Sequence, residues 1–522
     1  MKKTFLLSSL ASLLFQVHFV LGQGLNSKQI DSVVYKALDI SPSVGIAVAV
    51  VKDGKVIHSK GYGIKSVADN KKVDEHTLFA IASNSKAFTT AALAILVDEG
   101  KLTWDDKVID HISEFKMYND YVTANFTIVD LLTHRSGLGL GAGDLMIFPD
   151  GADFTITDVL NSFQYQEPVS AFRTKYDYDN LLYIVAGEIV ARVSGVSWPD
   201  FIQSRILIPL GMNNSVPINS RLQAKANMAI PHDSEGPQIK QLQTYTSELV
   251  AAAGGIYASV DDLSKWMIMH LNGGKYGEDL TLELFSARQQ NQMWKPHTNQ
   301  GFTTNPNPRT KQHLAAYGLG WNIKDEQGKI VLSHTGGLPG MLSKTILIPE
   351  LNLGIVVLTN SSPGGYAYSS IPEMILDSYL EIEEMDWITQ MAARAEATAN
   401  ESDSVTTAVW KIVRENKTPN INLSHYTGTY KDDWFGEVEI AMKDGNLWFT
   451  SKRSPKLNGH MYFYEATTFA IKWEYTYMNA EAFAIFSLNE EGKAIGIKMK
   501  GISPNIDFSF DFQDLDLKRE DK

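Results

Sequence analysis

The most informative absence in this 522-residue chain is cysteine, of which it has none. Without thiols the protein cannot form a disulfide, a thiolate nucleophile, a cysteine–zinc site or a lipid anchor attached through cysteine. The patterns G-x-S-x-G and H-E-x-x-H are also missing, which excludes the usual α/β-hydrolase elbow and the common zinc-peptidase motif. Any catalysis must therefore rest on oxygen and nitrogen side chains of other kinds.

Long apolar runs are scarce too. Lys2 and Lys3 precede an apolar stretch that ends at Gly22, which predicts a signal peptide over residues 1–22 and a secreted or periplasmic protein. No later stretch reaches the roughly twenty apolar residues that span a bilayer, so we expect no integral membrane anchor. The net charge of −13 argues against nucleic acid as a partner.

The strand and helix patterns that are present predict an α+β fold in two units. Residues 45–51 and 55–58 form a predicted hairpin across Asp53-Gly54, residues 86–315 are mostly helical, and strands return between 317 and 360. These strands can build one antiparallel sheet. From residue 426 onward, short aromatic-rich runs, the last at residues 508–510, predict a β-barrel or sandwich. We expect an α+β domain at 23–371, a helical linker at 372–419 and a β domain at 420–522.

The most reactive motif is Ser83-Asn84-Ser85-Lys86, which lies where a short apolar strand leads into an apolar helix. Residues three apart share one face of a helix, so the Lys86 amine can reach the Ser83 hydroxyl. The N-terminus of the helix also offers unpaired N–H groups to a developing anion. The other S-x-x-K match, Ser113 to Lys116, has no apolar helix behind it and is taken as accidental.

Two further polar groups can complete a nucleophilic site. Tyr178 and Asn180 precede an apolar helix and offer a phenol for proton transfer and an amide for orientation. His334-Thr335-Gly336 lies between two predicted strands, where a substrate backbone can align. Taken alone, each pattern also fits an ordinary packing tyrosine or a turn histidine.

The order of these three motifs resembles the serine β-lactamase and penicillin-binding protein superfamily, in particular its class C-like branch. The resemblance covers about residues 30 to 365 and includes phrases typical of that branch: His134-Arg135-Ser136-Gly137-Leu138, Pro209-Leu210-Gly211-Met212, Ala253-Gly254-Gly255-Ile256-Tyr257 and Tyr317-Gly318-Leu319-Gly320-Trp321. The C-terminal part resembles, more weakly, the lipocalin-like barrel appended to many hydrolases of this branch.

The resemblance implies a role for each matched residue. Ser83 would be the acylated nucleophile, Lys86 its proton acceptor, and Tyr178 a partner base that protonates the leaving group and later activates water. Asn180 would hold substrate and the lysine. The backbone N–H groups of Ser83 and Gly337 would form the oxyanion hole, and neither a metal nor another cofactor is implied.

The third motif departs from the commonest family pattern, which begins with lysine. His334, with Thr335 and Gly336, would line the substrate site, and a histidine is mainly neutral at pH 7.5 but gains charge as the pH falls toward 6. Capture of a substrate carboxylate is therefore weakened. The expected substrate is a small molecule or peptide, with a D-amino-acid-containing peptide favoured, an ester or β-lactam as alternatives, and a non-catalytic cell-wall-peptide sensor as the hypothesis from another class. The oligomeric state stays open.

Overall fold

The computed structural model describes residues 24–40, 43–235, 238–362, 365–383, 385–415 and 421–520. They form an α+β body around an eight-stranded antiparallel sheet, followed by a closed eight-stranded β-barrel. Both units agree with the predicted fold class. The predicted signal peptide, residues 1–22, lies outside the described residues.

The sheet of the body runs, in spatial order, through β2 (Lys55–Gly63), β1 (Gly45–Lys52), β14 (Leu353–Thr359), β13 (Met341–Ile348), β12 (Lys329–Leu338), β11 (Asn322–Glu326), β10 (Leu314–Tyr317) and β9 (Thr298–Phe302). Three short two-stranded antiparallel pairs of described residues lie outside it: β3 (Phe79–Ala80) with β6 (Tyr257–Ala258), β4 (His232–Glu235) with β5 (Gln238–Gln241), and β7 (Lys275–Tyr276) with β8 (Leu282–Glu283). The predicted hairpin and the four predicted strands between 317 and 360 are all present.

Helices cover both faces of this sheet, which explains why β1 is a continuous apolar run. The helices are α1 (Ser27–Ile40), α2 (Ser85–Asp98), α3 (Val108–His111), α4 (Asp120–Asn125), α5 (Ile128–Leu132), α6 (Ile156–Ser162), α7 (Leu181–Ser194), α8 (Trp198–Ile202), α9 (Ala251–Gly254), α10 (Val260–Leu271), α11 (Ala287–Met293), α12 (Tyr366–Tyr379) and α13 (Trp387–Glu415). Successive strand residues point to opposite faces. Ile46 and Val48 accordingly pack with α1 and α12, whereas Ala47 and Ala49 belong to the larger core beneath α2.

The barrel consists of β15 (Gly428–Asp432), β16 (Gly436–Lys443), β17 (Asn446–Ser451), β18 (Asn458–Glu465), β19 (Thr468–Trp473), β20 (Ala482–Leu488), β21 (Ala494–Gly501) and β22 (Asp516–Arg519). It docks on the helical part of the body. Arg453, in the β17–β18 connection, forms ion pairs with Asp153 at 2.7 Å and Asp158 at 2.8 Å. Lys456 pairs with Asp150 beside them.

Two sequence predictions about element positions need correction. Strands β9 and β10 extend the sheet within the region predicted to be helical. β9 is an edge strand of mainly polar sequence, and β10 is only four residues long, Leu-Ala-Ala-Tyr, so neither carries an apolar alternation. The predicted domain boundary after residue 371 falls inside α12, whose Ile371 and Ile375 pack with the sheet in the same cluster as Ile30. The first half of the predicted linker therefore packs against the sheet of the body.

The predicted strand at residues 508–510 is wrong. These residues lie in the connection between β21 and β22, residues 502–515, which we call the barrel loop. The Phe-Ser-Phe alternation is typical of a strand, but here Ser509 is buried at 5% exposure while Phe508 is 38% exposed. The loop leaves the barrel and reaches the body.

Among the described residues, no single helix has the length and apolar composition needed to cross a membrane. One bent pair, α7 with residues 198–207, meets those two criteria only when its members are taken together across a 74° bend.

Candidate active site

Ser83 is presented by a strained turn between a strand and a helix. β3 leads into a short 3-10 turn, Ala82–Asn84, and α2 begins at Ser85. Ala82 has a φ of +47°, in the left-handed region that alanine rarely occupies. Such conformations persist where surrounding structure imposes them, and they concentrate at functional sites. The turn brings the Ser83 side chain to a cavity wall.

Lys86 lies one helical turn further on and is completely buried. Its Nζ donates to Ser83 Oγ at 3.1 Å, to Asn180 Oδ1 at 2.7 Å and to the Ala253 carbonyl at 3.0 Å. An ammonium has three N–H donors, so these three acceptors match its charged form. On losing a proton, the amine can keep the bonds to Asn180 and Ala253 and turn its lone pair toward the Ser83 hydroxyl.

Burial lowers the pKa of Lys86 to about 7, although the nearby carboxyls of Asp144 and Asp179 oppose the shift. Desolvation disfavours the ammonium because its charge loses contact with water. A lysine with a pKa near neutrality is available as a proton acceptor under ordinary conditions.

Asn180 links this lysine to a second buried group. While its Oδ1 accepts from Lys86, its Nδ2 donates to Asp144 Oδ2 at 2.7 Å. Asp144 is fully buried in the 3-10 turn Asp144–Met146, and burial raises the pKa of its carboxyl well above the ordinary value. Both ends of the Asn180 amide are therefore fixed, and its orientation is set by its partners.

Tyr178 packs beside the same pair. Its ring centroid lies 4.8 Å from Lys86 Nζ and 4.2 Å from the imidazole of His134. His134 also accepts a hydrogen bond at Nδ1 from the Asp179 N–H at 3.0 Å, which holds the segment that carries Tyr178. Loss of water contact raises the Tyr178 pKa well above its usual value, while its bond to Ser83 opposes the shift. The phenol is thus neutral in the resting protein.

His334 is buried in the wall of the site, with 2% of its surface exposed. Its Nδ1 lies 2.6 Å from the Thr335 carbonyl, so Nδ1 carries the hydrogen, and Nε2 accepts from the Tyr317 hydroxyl at 2.9 Å. Burial, assisted by the charge of Lys86, lowers the His334 pKa to about 3. The expectation that His334 gains charge toward pH 6 is therefore wrong, because both ring nitrogens are already engaged away from water.

The remaining residues of the third motif divide between the two sides of β12. Thr335 and Gly337 face the cavity, whereas Gly336 is buried and does not line it. A Cβ placed on Gly336 would lie 2.1 Å from the Ile81 carbonyl and 3.0 Å from the Ser83 nitrogen. Gly336 thus lets the strand approach the Ser83 turn, and the substrate contact predicted for it is replaced by a packing role.

These side chains open into a cavity of about 570 Å³. Ser83, Tyr178, Asn180, His334, Thr335 and Gly337 all line it. So do residues of the barrel, including Tyr477 and Met478 of the β19–β20 connection and residues 507–510 of the barrel loop. The cavity therefore lies between the body and the barrel, which the sequence did not predict.

Sequence reasoning missed several groups at this site. Asp144 and Ala253 contact the Asn180–Lys86 pair, and Tyr317 bonds His334, yet none of them stands beside a motif residue in the chain. Ala253 and Tyr317 fall in phrases that carried the family resemblance, which is the only signal that pointed to them. Nothing in the pattern around Ser509 indicated a site. The part of the chain that the structure describes contains no cluster of three or more His, Asp or Glu side chains placed to hold a metal ion.

Comparison with known proteins finds matches for both units of the chain. A family model described as Beta-lactamase matches residues 33–374, and a second, described as a domain of unknown function (DUF3471), matches residues 413–519. The first covers most of the body and the second covers the end of α13 and the barrel.

Named relatives span both units or the body. Unguisins hydrolase ungD of Aspergillus violaceofuscus is 27% identical over 449 residues, covering 80% of this chain and 77% of the relative. Protein flp of Staphylococcus aureus is 28% identical over 339 residues, covering 64% and 63%. The structure of the octameric penicillin-binding protein homologue from Pyrococcus abyssi superposes with a TM-score of 0.59 at 20% identity, covering 94% of this chain and all of the homologue. At that identity the likeness concerns the fold alone.

Proposed function

This chain belongs to the β-lactamase and penicillin-binding protein superfamily of serine hydrolases, and from that premise we propose that it cleaves an amide or ester through an acyl-enzyme on Ser83. The observation that carries the proposal is the buried Lys86, which has a lowered pKa and lies 3.1 Å from the Ser83 hydroxyl. A serine becomes a useful nucleophile only when a neighbouring base accepts its proton.

In the proposed acylation, the neutral Lys86 amine takes the Ser83 proton as Oγ attacks the substrate carbonyl. The resulting ammonium is stabilised by the Asn180 amide oxygen and the Ala253 carbonyl, which already face Nζ. The tetrahedral oxyanion is held by the N–H groups of Ser83 and Gly337, whose residues both line the cavity. Collapse expels the leaving group and forms the ester to Ser83.

Tyr178 is proposed as the group that passes a proton to the leaving amine or alkoxide. A phenol with a raised pKa is a poor base at rest but remains protonated and can donate. It can regain a proton from the Lys86 ammonium, because Tyr178 and Lys86 both bond the Ser83 side chain. The same exchange in reverse would activate the water that hydrolyses the acyl-enzyme.

The cavity wall favours substrates without a carboxylate at the reacting end. Among the described residues that line it there is no arginine or lysine, whereas Asp233 and Asp507 contribute carboxyl groups. His334 is uncharged, and the remaining wall is largely apolar, with Phe148, Leu338 and Phe508. We therefore propose a small neutral or amine-bearing peptide, with D-residues accepted, or an uncharged ester as substrate, in preference to penicillins or cephalosporins.

The relative named as a hydrolase supports a hydrolytic role. The alternative of a non-catalytic peptide sensor is disfavoured by the intact set of Ser83, Lys86 and Tyr178. Export of the mature enzyme, through a signal peptide at residues 1–22, forms part of the proposal.

Labelling with a fluorophosphonate tests the proposal, because the reagent forms a stable adduct with activated serines. Intact-protein mass spectrometry should show one adduct on the wild type and on Ser113→Ala, and none on Ser83→Ala. Ser113 is a matched control, since it starts the other S-x-x-K pattern but is exposed and does not line the cavity. Persistence of the adduct in Ser83→Ala would refute the assignment of the nucleophile.

Turnover on a panel of neutral esters, D-peptides, amine-bearing peptides and β-lactams then tests substrate class. Faster hydrolysis of β-lactams than of every uncharged or amine-bearing substrate would contradict the proposed preference.

A further inference from the structure

The barrel contributes a polar side chain to the interior of the body, next to the proposed catalytic lysine. Ser509 of the barrel loop donates to Asp144 Oδ2 at 2.8 Å, and the same oxygen accepts from Asn180 Nδ2 at 2.7 Å. Asn180 Oδ1 in turn accepts from Lys86. A continuous hydrogen-bonded chain thus runs from the barrel to the amine that faces Ser83.

The barrel loop holds the backbone of the Asp144 turn as well. The Asp511 carboxylate accepts from the Gly143 N–H at 2.7 Å and from the Leu145 N–H at 2.8 Å, on either side of Asp144. The approach is close: a Cβ on Gly141 would lie 2.6 Å from the Phe508 carbonyl. Ser509 and Asp511 therefore fix both the side chain and the main chain of this turn.

Burying the carboxyl group of Asp144 at this position costs free energy. It is fully buried, and its second oxygen, Oδ1, has no hydrogen-bond partner among the described residues. Buried carboxyls are normally fully hydrogen-bonded because an unpaired oxygen loses its hydration without compensation. A role limited to packing would be served equally well by an apolar side chain.

We propose that Asp144 and the barrel residue Ser509 are positioning residues, which hold the Asn180 amide and, through it, the amine of Lys86 against Ser83. This inference rests on the proposed function of Ser83 and Lys86. It makes the barrel a structural part of the reaction centre. Without Ser509, the side chain of Asp144 keeps only its bond to Asn180 among the described contacts, so the carboxyl can shift and displace the amide that orients Lys86.

The direction of the electrostatic effect follows from the same contacts. Burial favours the neutral form of Asp144, whereas the hydrogen bonds from Asn180 and Ser509 and the charge of Lys86 favour its carboxylate. In its charged form Asp144, together with the Asn180 oxygen, stabilises the Lys86 ammonium. Removing either contact should lower the Lys86 pKa further. Other titratable groups also face this lysine. They are His134 from the loop after α5, Tyr178 and Asp179 from the loop before α7, Tyr183 from α7, and His334 from β12.

The test compares full-length wild type, Ser509→Ala, Asp144→Asn and Ser487→Ala. Ser487 is a matched control because it is an exposed barrel serine outside the cavity wall. Lysine labelled with 13C at Cε allows the Lys86 titration to be followed by NMR, with the resonance identified by its loss in Lys86→Met. Saturation kinetics with a fluorophosphonate give the maximal acylation rate and the affinity for the reagent separately.

In Ser509→Ala and Asp144→Asn, the midpoint of the Lys86 titration should fall by about half a pH unit or more. The maximal acylation rate should fall by about tenfold or more, with reagent affinity unchanged, as expected when a reacting group is misplaced by a fraction of an ångström. Ser487→Ala should match the wild type in both measurements.

A Ser509→Ala protein whose Lys86 midpoint is unchanged and whose acylation rate stays within about twofold of the wild type would overturn the proposal. Failure of the proposed function has a different signature. In that case the Lys86 midpoint still moves in the variants, but Ser83 of the wild type takes no label.

Discussion

Acylation of Ser83 should depend on pH with a midpoint set by Lys86. The folded protein lowers the pKa of this lysine from 10.5 to about 7, and a general base works only in its neutral form. At pH 7.5 about three quarters of such a lysine is neutral, against about one part in a thousand at the ordinary pKa. The rate should therefore be near its plateau at pH 7.5 and fall about tenfold for each pH unit well below 7.

The assay is the second-order rate constant of fluorophosphonate labelling, measured across the range of pH in which circular dichroism shows the fold unchanged. Lys86→Met should lose about two to four orders of magnitude in rate, the usual contribution of a general base. Its residual rate should lack the limb near pH 7, because the titrating amine is gone.

Asp179 provides the discriminating control, since burial raises the pKa of its carboxyl to about 7 as well. Asp179→Asn should keep the limb, displaced to lower pH because a carboxyl charge that favours the Lys86 ammonium has been removed. A limb that survives in Lys86→Met, disappears in Asp179→Asn, or lies near pH 10 in the wild type would refute the reasoning.

Three other outcomes follow from the site. Tyr178→Phe should fold normally but hydrolyse amides about a hundredfold more slowly, because it removes the proton donor to the leaving group. The loss should be smaller on esters that have good leaving groups. A variant whose kcat equals that of the wild type on both amides and esters would contradict this role. His334→Lys should raise the activity on carboxylate-bearing substrates relative to the activity on neutral ones. In the wild type, lowering the pH from about 7.5 to 6 should leave this activity ratio unchanged, since the His334 pKa is about 3. An activity ratio that rises toward pH 6 would show that the histidine titrates there. Gly336→Ala should lower both the melting temperature and the rate of Ser83 labelling, because its Cβ would meet the Ile81 carbonyl at 2.1 Å. If the variant keeps the melting temperature and labelling of the wild type, the strand can move aside.

Much of the fold could be predicted from local patterns. The run from Gly45 to Val51 and the Asp53-Gly54 turn predicted the first hairpin, and the apolar runs between 321 and 358 predicted the middle of the sheet. The central strands β1 and β14 are buried along nearly their whole length, so their sequences carry a strong apolar signal. β9 lies at the edge of the sheet and β10 is a four-residue strand beside it, and neither has a local pattern that reveals it.

The candidate site divides in the same way. The spacing of Ser83 and Lys86 within one helical turn is enough to predict that they lie together, and the helix that follows Asn180 is equally legible. The neutral state of His334 at pH 7.5 follows from the ordinary pKa of histidine. Its resistance to protonation near pH 6 does not, because that depends on the loss of water around it and on the charge of Lys86.

What the sequence by itself determined is the chemistry: a serine and a lysine one turn apart, with a tyrosine, an amide and a glycine-containing strand to complete them. What only the tertiary structure decided is how those groups are tuned and enclosed. The lowered pKa of Lys86 arises from complete burial, and the contact of Ser509 with Asp144 joins residues 365 positions apart in the chain. Desolvation and long-range contacts are properties of the packed interior, so they cannot be predicted from a local pattern of residues.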